Sequence, residues 1–169
     1  MRAFFVALFL ALPALVYAGS ASSTTTKVTD TIDKILVVKS ERTLHLMHRG
    51  AVIKSYRVSL GKKPGAKEYE GDQRTPEGLY WINGRKHSDN FNLAMHISYP
   101  NTTDLKRSEK TGLPPGNLIM LHGTPDDEEY PEWFFNTLDW TEGCIALTNS
   151  DMKEVWETVK DGTLIEIRP

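Results

Sequence analysis

Apolar residues in this chain come in short runs separated by polar clusters, and their spacing is mostly that of strands. Ile32 to Val38 is β-branched and apolar, and Thr43 to Met47 continues after a turn-like Lys39-Ser40-Glu41-Arg42. Beyond Arg49-Gly50, the apolar positions Val52, Tyr56, Val58 and Leu60 mark a third run. Runs of this kind bounded by turn residues predict strands, so this region reads as an antiparallel meander. Leu79 to Ile82, Phe91 to Tyr99, Leu118 to Leu121 and Thr163 to Ile167 predict four more. Helical spacing is clear in one place. Met152, Val155, Trp156 and Val159 fall at i, i+3, i+4 and i+7, with Asn149 or Ser150 as cap and Asp161-Gly162 as stop. The expected fold is mostly β, of the α+β type, with one clear C-terminal helix.

Three polar stretches interrupt this pattern. Gly61 to Gly65 and Gly71 to Gly78 frame a loop in which Pro76 fixes φ and Gly78 can close a tight turn. Asn101 to Asn117, containing Pro114-Pro115-Gly116, is expected to be a long loop. Loops of that length inside a compact domain commonly act as lids, and this one leads directly into the Leu118 run. Pro125 to Thr137 is acidic and then aromatic, with room for only a short helix around Pro131.

The N-terminus has a different pattern. Arg2 precedes an apolar run from Phe4 to Val16, and Val16-Tyr17-Ala18 supplies the small residues of a cleavage site. Residues 1–18 therefore read as a secretory signal peptide, too short for a membrane span and implying no stable membrane insertion once cleaved. The Ser/Thr-rich residues 19–31 read as a flexible linker, and 32–169 as one domain. The formal net charge of −2 has mixed signs and no basic stripe, which argues against nucleic acid. Export normally favours disulfides, yet this chain carries one cysteine.

That cysteine, Cys144, follows Gly143 and precedes the apolar Ile145-Ala146-Leu147. Upstream, the run Leu118-Ile119-Met120-Leu121 ends in His122-Gly123. A glycine turn that presents a thiol and a buried strand that delivers an imidazole are the parts of a thiolate nucleophile. A lone cysteine is equally compatible with a small buried hydrophobe, and a strand-end histidine with a satisfied polar residue. The residues alone leave both readings open. His45 and His48 face opposite ways on their strand, and no closed set of metal ligands is visible, so neither metal nor cofactor is expected.

The Gly71-Asp72-Gln73-Arg74-Thr75-Pro76-Glu77-Gly78 loop, Ile97-Ser98-Tyr99-Pro100, Ile119-Met120-Leu121-His122-Gly123 and Gly143-Cys144-Ile145-Ala146-Leu147 together resemble the L,D-transpeptidase catalytic domain, or YkuD, family. The resemblance runs from about Ile35 to the C-terminus. It implies a β-sandwich-like mixed fold in which Cys144 is the nucleophile and His122 the general base. The implied substrate is a peptidoglycan tetrapeptide stem, attacked at the carbonyl of its third residue, a diamino acid, with loss of the terminal D-alanine. The acyl group then passes to another stem, a cell-wall-linked lipoprotein, a D-amino acid or water. The implied setting is the periplasm and cell wall. One departure stands out: Thr141-Glu142-Gly143-Cys144 carries Glu142 where the family pattern has a second histidine. A carboxylate there would oppose a thiolate unless it points away or pairs with a cation.

In this reading His122 draws the proton from Cys144 to give an imidazolium–thiolate pair. The backbone N–H groups of Glu142, Gly143 and Cys144 converge on the oxyanion. Tyr99, Arg74, Trp140 and Gly123 are the candidate substrate-binding residues. Two alternatives accompany it: a hydrolase of the same fold (an L,D-carboxypeptidase or amidase) and a non-catalytic wall-binding module. A zinc hydrolase is more remote.

Overall fold

The computed structural model describes residues 31–88, 90–125 and 130–169. The expected signal peptide and nearly all of the expected linker lie outside the described residues. Eight strands form a continuous ribbon in the order β3-β2-β1-β8-β4-β5-β6-β7. Strands β1 (Lys34–Val38), β2 (Thr43–His48) and β3 (Ala51–Arg57) are the meander anticipated from the sequence. β8 (Leu164–Arg168) runs parallel to β1 and antiparallel to β4 (Gly78–Ser88), so the chain's last strand closes the gap beside its first.

β4 is longer than its Leu79–Ile82 apolar core suggests, and it serves two sheets. Its first half pairs with β8 in one sheet, and its second half pairs with β5 (Asn92–Ile97) in the other. The register shifts between Ile82 and Gly84. Such an irregularity bends a strand and increases its local twist, which lets one strand turn from one layer into the next. β5 continues to β6 (Met120–His122), and β6 pairs in parallel with the two-residue β7 (Ile145–Ala146).

The core lies between these layers. Ile35, Val37, Leu44, Tyr80, Ile82, Met95, Leu121, Ile145, Leu147 and Ile165 are fully buried. Helix α3 (Asn149–Thr158) contributes Met152 and Val155, with Val159 just past its end. Its cap is Thr148, whose side chain accepts from Asp151 N–H, rather than Asn149 or Ser150. Trp156 is only partly buried and lies against Arg85 and His87.

The polar stretch 101–117 is not the unstructured loop expected. It contains helix α1 (Thr102–Thr111). Asn101 Oδ1 accepts from Thr103 and Asp104 N–H at 2.8 and 3.1 Å, and Asp104 accepts from Asn101 N–H at 3.0 Å. This reciprocal cap satisfies several of the first-turn donors. The helix lacks an apolar stripe because its buried anchor is a carboxylate. Asp104, 2% exposed, accepts from Tyr80 Oη at 2.9 Å and from Arg107 at 3.2 Å. A hydrophobic pattern could not have reported a helix docked through an acid. The short helix near Pro131 is α2 (Glu132–Phe135), with Pro131 at its N-cap.

Val58 and Leu60 are buried, but they lie beyond β3. There the chain leaves the meander. Ser59 bridges antiparallel to Ala146, and Gly61 bridges parallel to Thr141. The third apolar run thus ends against the cysteine segment, a long-range pairing with no local signature.

Candidate active site

Ile145 and Ala146 fix the cysteine segment from below. Leu121 stands beside Ile145 and His122 beside Ala146, with Leu147 N–H donating to His122 O at 2.9 Å. Side chains alternate along extended backbone, so Cys144, two residues before Ala146, falls on the His122 face. Parallel pairing thereby places the Cys144 segment alongside the strand that carries His122.

His122 is 2% exposed and held on several sides. Its Nδ1 lies 2.6 Å from Gly123 O. A carbonyl can only accept, so Nδ1 carries the proton and Nε2 keeps its lone pair. Phe91 packs on the ring with centroids 4.3 Å apart, and Trp140 meets it edge-on at 5.7 Å. Burial pushes the imidazole pKa below its ordinary value, with the Gly123 hydrogen bond opposing more weakly. The ring is therefore neutral at neutral pH.

Cys144 is half-buried, and its thiol donates to Leu118 O at 3.6 Å. Leu118 holds φ at +57°, uncommon for a non-glycine residue, and is 62% exposed. Burial pushes the thiol pKa up, against smaller pulls from Met120 N–H and the charges of Lys67 and Lys86. Both shifts favour the uncharged pair. Desolvation penalises the imidazolium and the thiolate alike, so burial opposes the ion pair expected from sequence.

The turn before Cys144 is built from backbone contacts. Gly143 has φ +132°, and a Cβ there would sit 2.7 Å from Arg74 O. Thr141 Oγ1 accepts from Gly143 N–H at 3.1 Å and donates to Cys144 O at 2.8 Å. Thr141 in turn exchanges bonds with the 60–62 segment: its N–H donates to Leu60 O, and its carbonyl accepts from Lys62 N–H, both at 3.1 Å. Thr75 Oγ1 accepts from Gly61 N–H at 2.9 Å. Three segments, 60–62, 73–75 and 141–144, therefore lock one another. Of the three N–H groups expected to form an oxyanion hole, that of Gly143 is thus bonded to Thr141 Oγ1.

Glu142 points out of the turn. Its side chain is 64% exposed, and its carboxylate pairs with Lys62 Nζ and Gln73 Nε2. Those bonds lower its pKa and pair its charge with a cation. The sequence offered no means of pairing residues 62 and 142.

The remaining candidates are distributed unevenly. Gly123 supplies the carbonyl that orients His122, and a side chain there would overlap Asn149 Oδ1 and sit 2.9 Å from Phe91 O. Trp140 packs against His122, Phe91 and Phe135. Arg74 supports the turn through its main chain, while its guanidinium lies 3.3 Å from Glu68. Tyr99 is not in the groove. It is 6% exposed, and its hydroxyl donates to Pro115 O at 2.7 Å, making it a strut under the 112–117 segment. Thr141, Phe91 and Lys67 were not anticipated. Thr141 lay in plain view three residues from the cysteine, but only the pairing with residues 60–62 gives it a role. Among the described residues, no group of three or more His, Cys, Asp or Glu side chains could hold a metal ion, and no helix is long and apolar enough to cross a membrane.

The fold sets the segment that carries the thiol beside a strand that ends in an oriented imidazole. The L,D-transpeptidase catalytic domain (YkuD) model matches residues 32–167, and the chain belongs to that family. It is 27% identical to YafK of Escherichia coli (strain K12), named as a candidate L,D-transpeptidase, over 97% of this chain and 67% of that one. Among solved structures it resembles the helical cell shape determining protein Pgp2 (K307A mutant) of Campylobacter jejuni: TM-score 0.63, 25% identity, 82% of this chain and 47% of that one. Bd1075 of Bdellovibrio bacteriovorus gives a TM-score of 0.59 at 27% identity, covering 81% and 48%. The chain spans about half the length of these two solved structures.

Proposed function

We propose that this protein is a periplasmic, cysteine-dependent L,D-transpeptidase acting on the stem peptides of peptidoglycan. The observation that carries this reading is His122. Its Nδ1 proton is committed to Gly123 O, so Nε2 is available as a base, on a strand that pairs with Ile145 and Ala146 just after Cys144. Nε2 takes the thiol proton as Sγ attacks the carbonyl carbon of the stem's third residue. The N–H groups of Glu142 and Cys144 receive the oxyanion; one such donor is typically worth about 2.7–4 kcal/mol. Collapse breaks the C–N bond, and Nε2–H protonates the departing amine of D-alanine. The thioester then reacts with an amine of a second stem, with a lipoprotein lysine or with water, and His122 deprotonates whichever attacks. A role in cell shape accords with the similarity to Pgp2, a helical cell shape determining protein.

Incubating the purified protein with tetrapeptide muropeptides tests this. Cross-linked dimers are the expected product, with Cys144→Ala inactive. Tripeptides without dimers would mean that water is the acceptor. Absence of both products, together with failure of a carbapenem to add its mass at Cys144, would leave a wall-binding module.

A further inference from the structure

Cys144 opens on a cleft of about 150 Å³ walled by Lys67, Glu70, Gly71, Gly116, Asn117, Leu118, Ile119 and Glu142. A cavity of about that volume holds benzene, six heavy atoms, which is also the size of alanine. Lys67 is the unexpected member. Lysine is almost never fully buried, yet this one is 4% exposed. Its ammonium donates to Tyr69 O at 3.0 Å and to Asp72 Oδ1 at 2.8 Å, which uses two of its three protons. Asp72 needs no lysine to satisfy its oxygens, since the N–H groups of Glu68, Tyr69 and Arg74 already donate to it. The other cleft charges are Glu142, neutralised by Lys62, and Glu70.

We propose that Lys67 is a specificity residue whose ammonium anchors a carboxylate of the acyl-donor peptide. This rests on the stem-peptide reading above and deepens it. Two donor groups share that chemistry: the terminal carboxylate of the residue to be expelled, and the carboxylate at the far end of a diaminopimelate side chain. Buried in the cleft that Cys144 lines, a charge-assisted bond from the third ammonium proton fixes the donor's register, and a neutral analogue forgoes that bond.

The test uses three synthetic tetrapeptides with the full chain: the parent containing diaminopimelate and a free C-terminal D-alanine, its C-terminal amide, and a version with lysine as third residue. At least a tenfold fall in kcat/KM is expected for the amide or for the lysine peptide, and whichever falls names the anchored group. In Lys67→Met/Asp72→Asn, which removes both buried charges, that discrimination should shrink to less than twofold. The inference is overturned if the wild type handles all three donors within twofold, or if the folded double variant discriminates as strongly as the wild type. If the double variant does not fold, the wild-type comparison decides alone. If no donor is turned over and Cys144 is not acylated, the proposed function itself fails, and this inference with it.

Discussion

The two ends of this molecule are held together differently. At the meander end, β1, β2 and β8 meet through Ile35, Val37, Leu44, Ile165 and Ile167, all 2% exposed or less. At the nucleophile end, β7 is two residues long, and the surrounding order comes from Thr141, Thr75, Asp72 and closely approached glycines. Apolar burial is non-directional and tolerates volume-conserving exchange. Backbone-directed hydrogen bonds and positive φ fix atoms to within fractions of an ångström and tolerate little. The first kind of cohesion builds a platform; the second fixes the backbone of the turn that carries Cys144.

Substitutions at the two ends should therefore separate stability from rate. The largest effect is expected at Gly143→Ala. It imposes a side chain at φ +132° and 2.7 Å from Arg74 O, so turnover should fall by about 10²-fold or more through displaced reacting atoms. Steady-state kinetics beside a melting curve would show it, and near-normal kcat would mean that the turn is not what aims the thiol. Leu44→Ala should do the reverse, costing about 2–5 kcal/mol in denaturant unfolding while the molecules that remain folded keep their kcat. Thr141→Val sits between them. It strands Gly143 N–H and Cys144 O, at a cost of about 1–3 kcal/mol, and should lower kcat by more than its stability loss suggests. The smallest effect is expected at Glu142→Gln: with the carboxylate exposed and already paired with Lys62, kcat should stay within about twofold. A large loss there would give the side chain, rather than the backbone, a part in the chemistry.

The site also predicts a pH profile. His122 must be neutral to act as a base, and its pKa is depressed by burial, so the acid limb of kcat/KM should lie below pH 6.5. Cys144 is pushed upward, so no alkaline limb from the thiol is expected below its ordinary value of 9.0. Stability follows with the same sign. A depressed histidine contributes stability that is present above its unfolded pKa and lost as pH falls from 6.5 through the folded value. Asp72, also depressed, adds a second loss below pH 3.8. An acid limb at or above 6.5 would place the ring in contact with water or with an anion.

The sequence by itself determined the strands of the meander, the C-terminal helix and the positions of Cys144, Gly143 and His122, because each is announced locally, by alternation, by helical spacing or by an unusual residue. It could not report α1, whose buried anchor is Asp104, or the fate of Tyr99, whose apolar ring looked the same whether bound for core or groove. Tertiary structure alone decided that Ser59 and Gly61 would pair with the cysteine segment, that Gly143 N–H would be taken by Thr141, and that Lys62 would neutralise Glu142 across 80 positions of chain. Hydrophobic periodicity encodes which face of an element turns inward. Hydrogen bonds and charges between distant segments depend on distances that exist only after the chain has closed on itself.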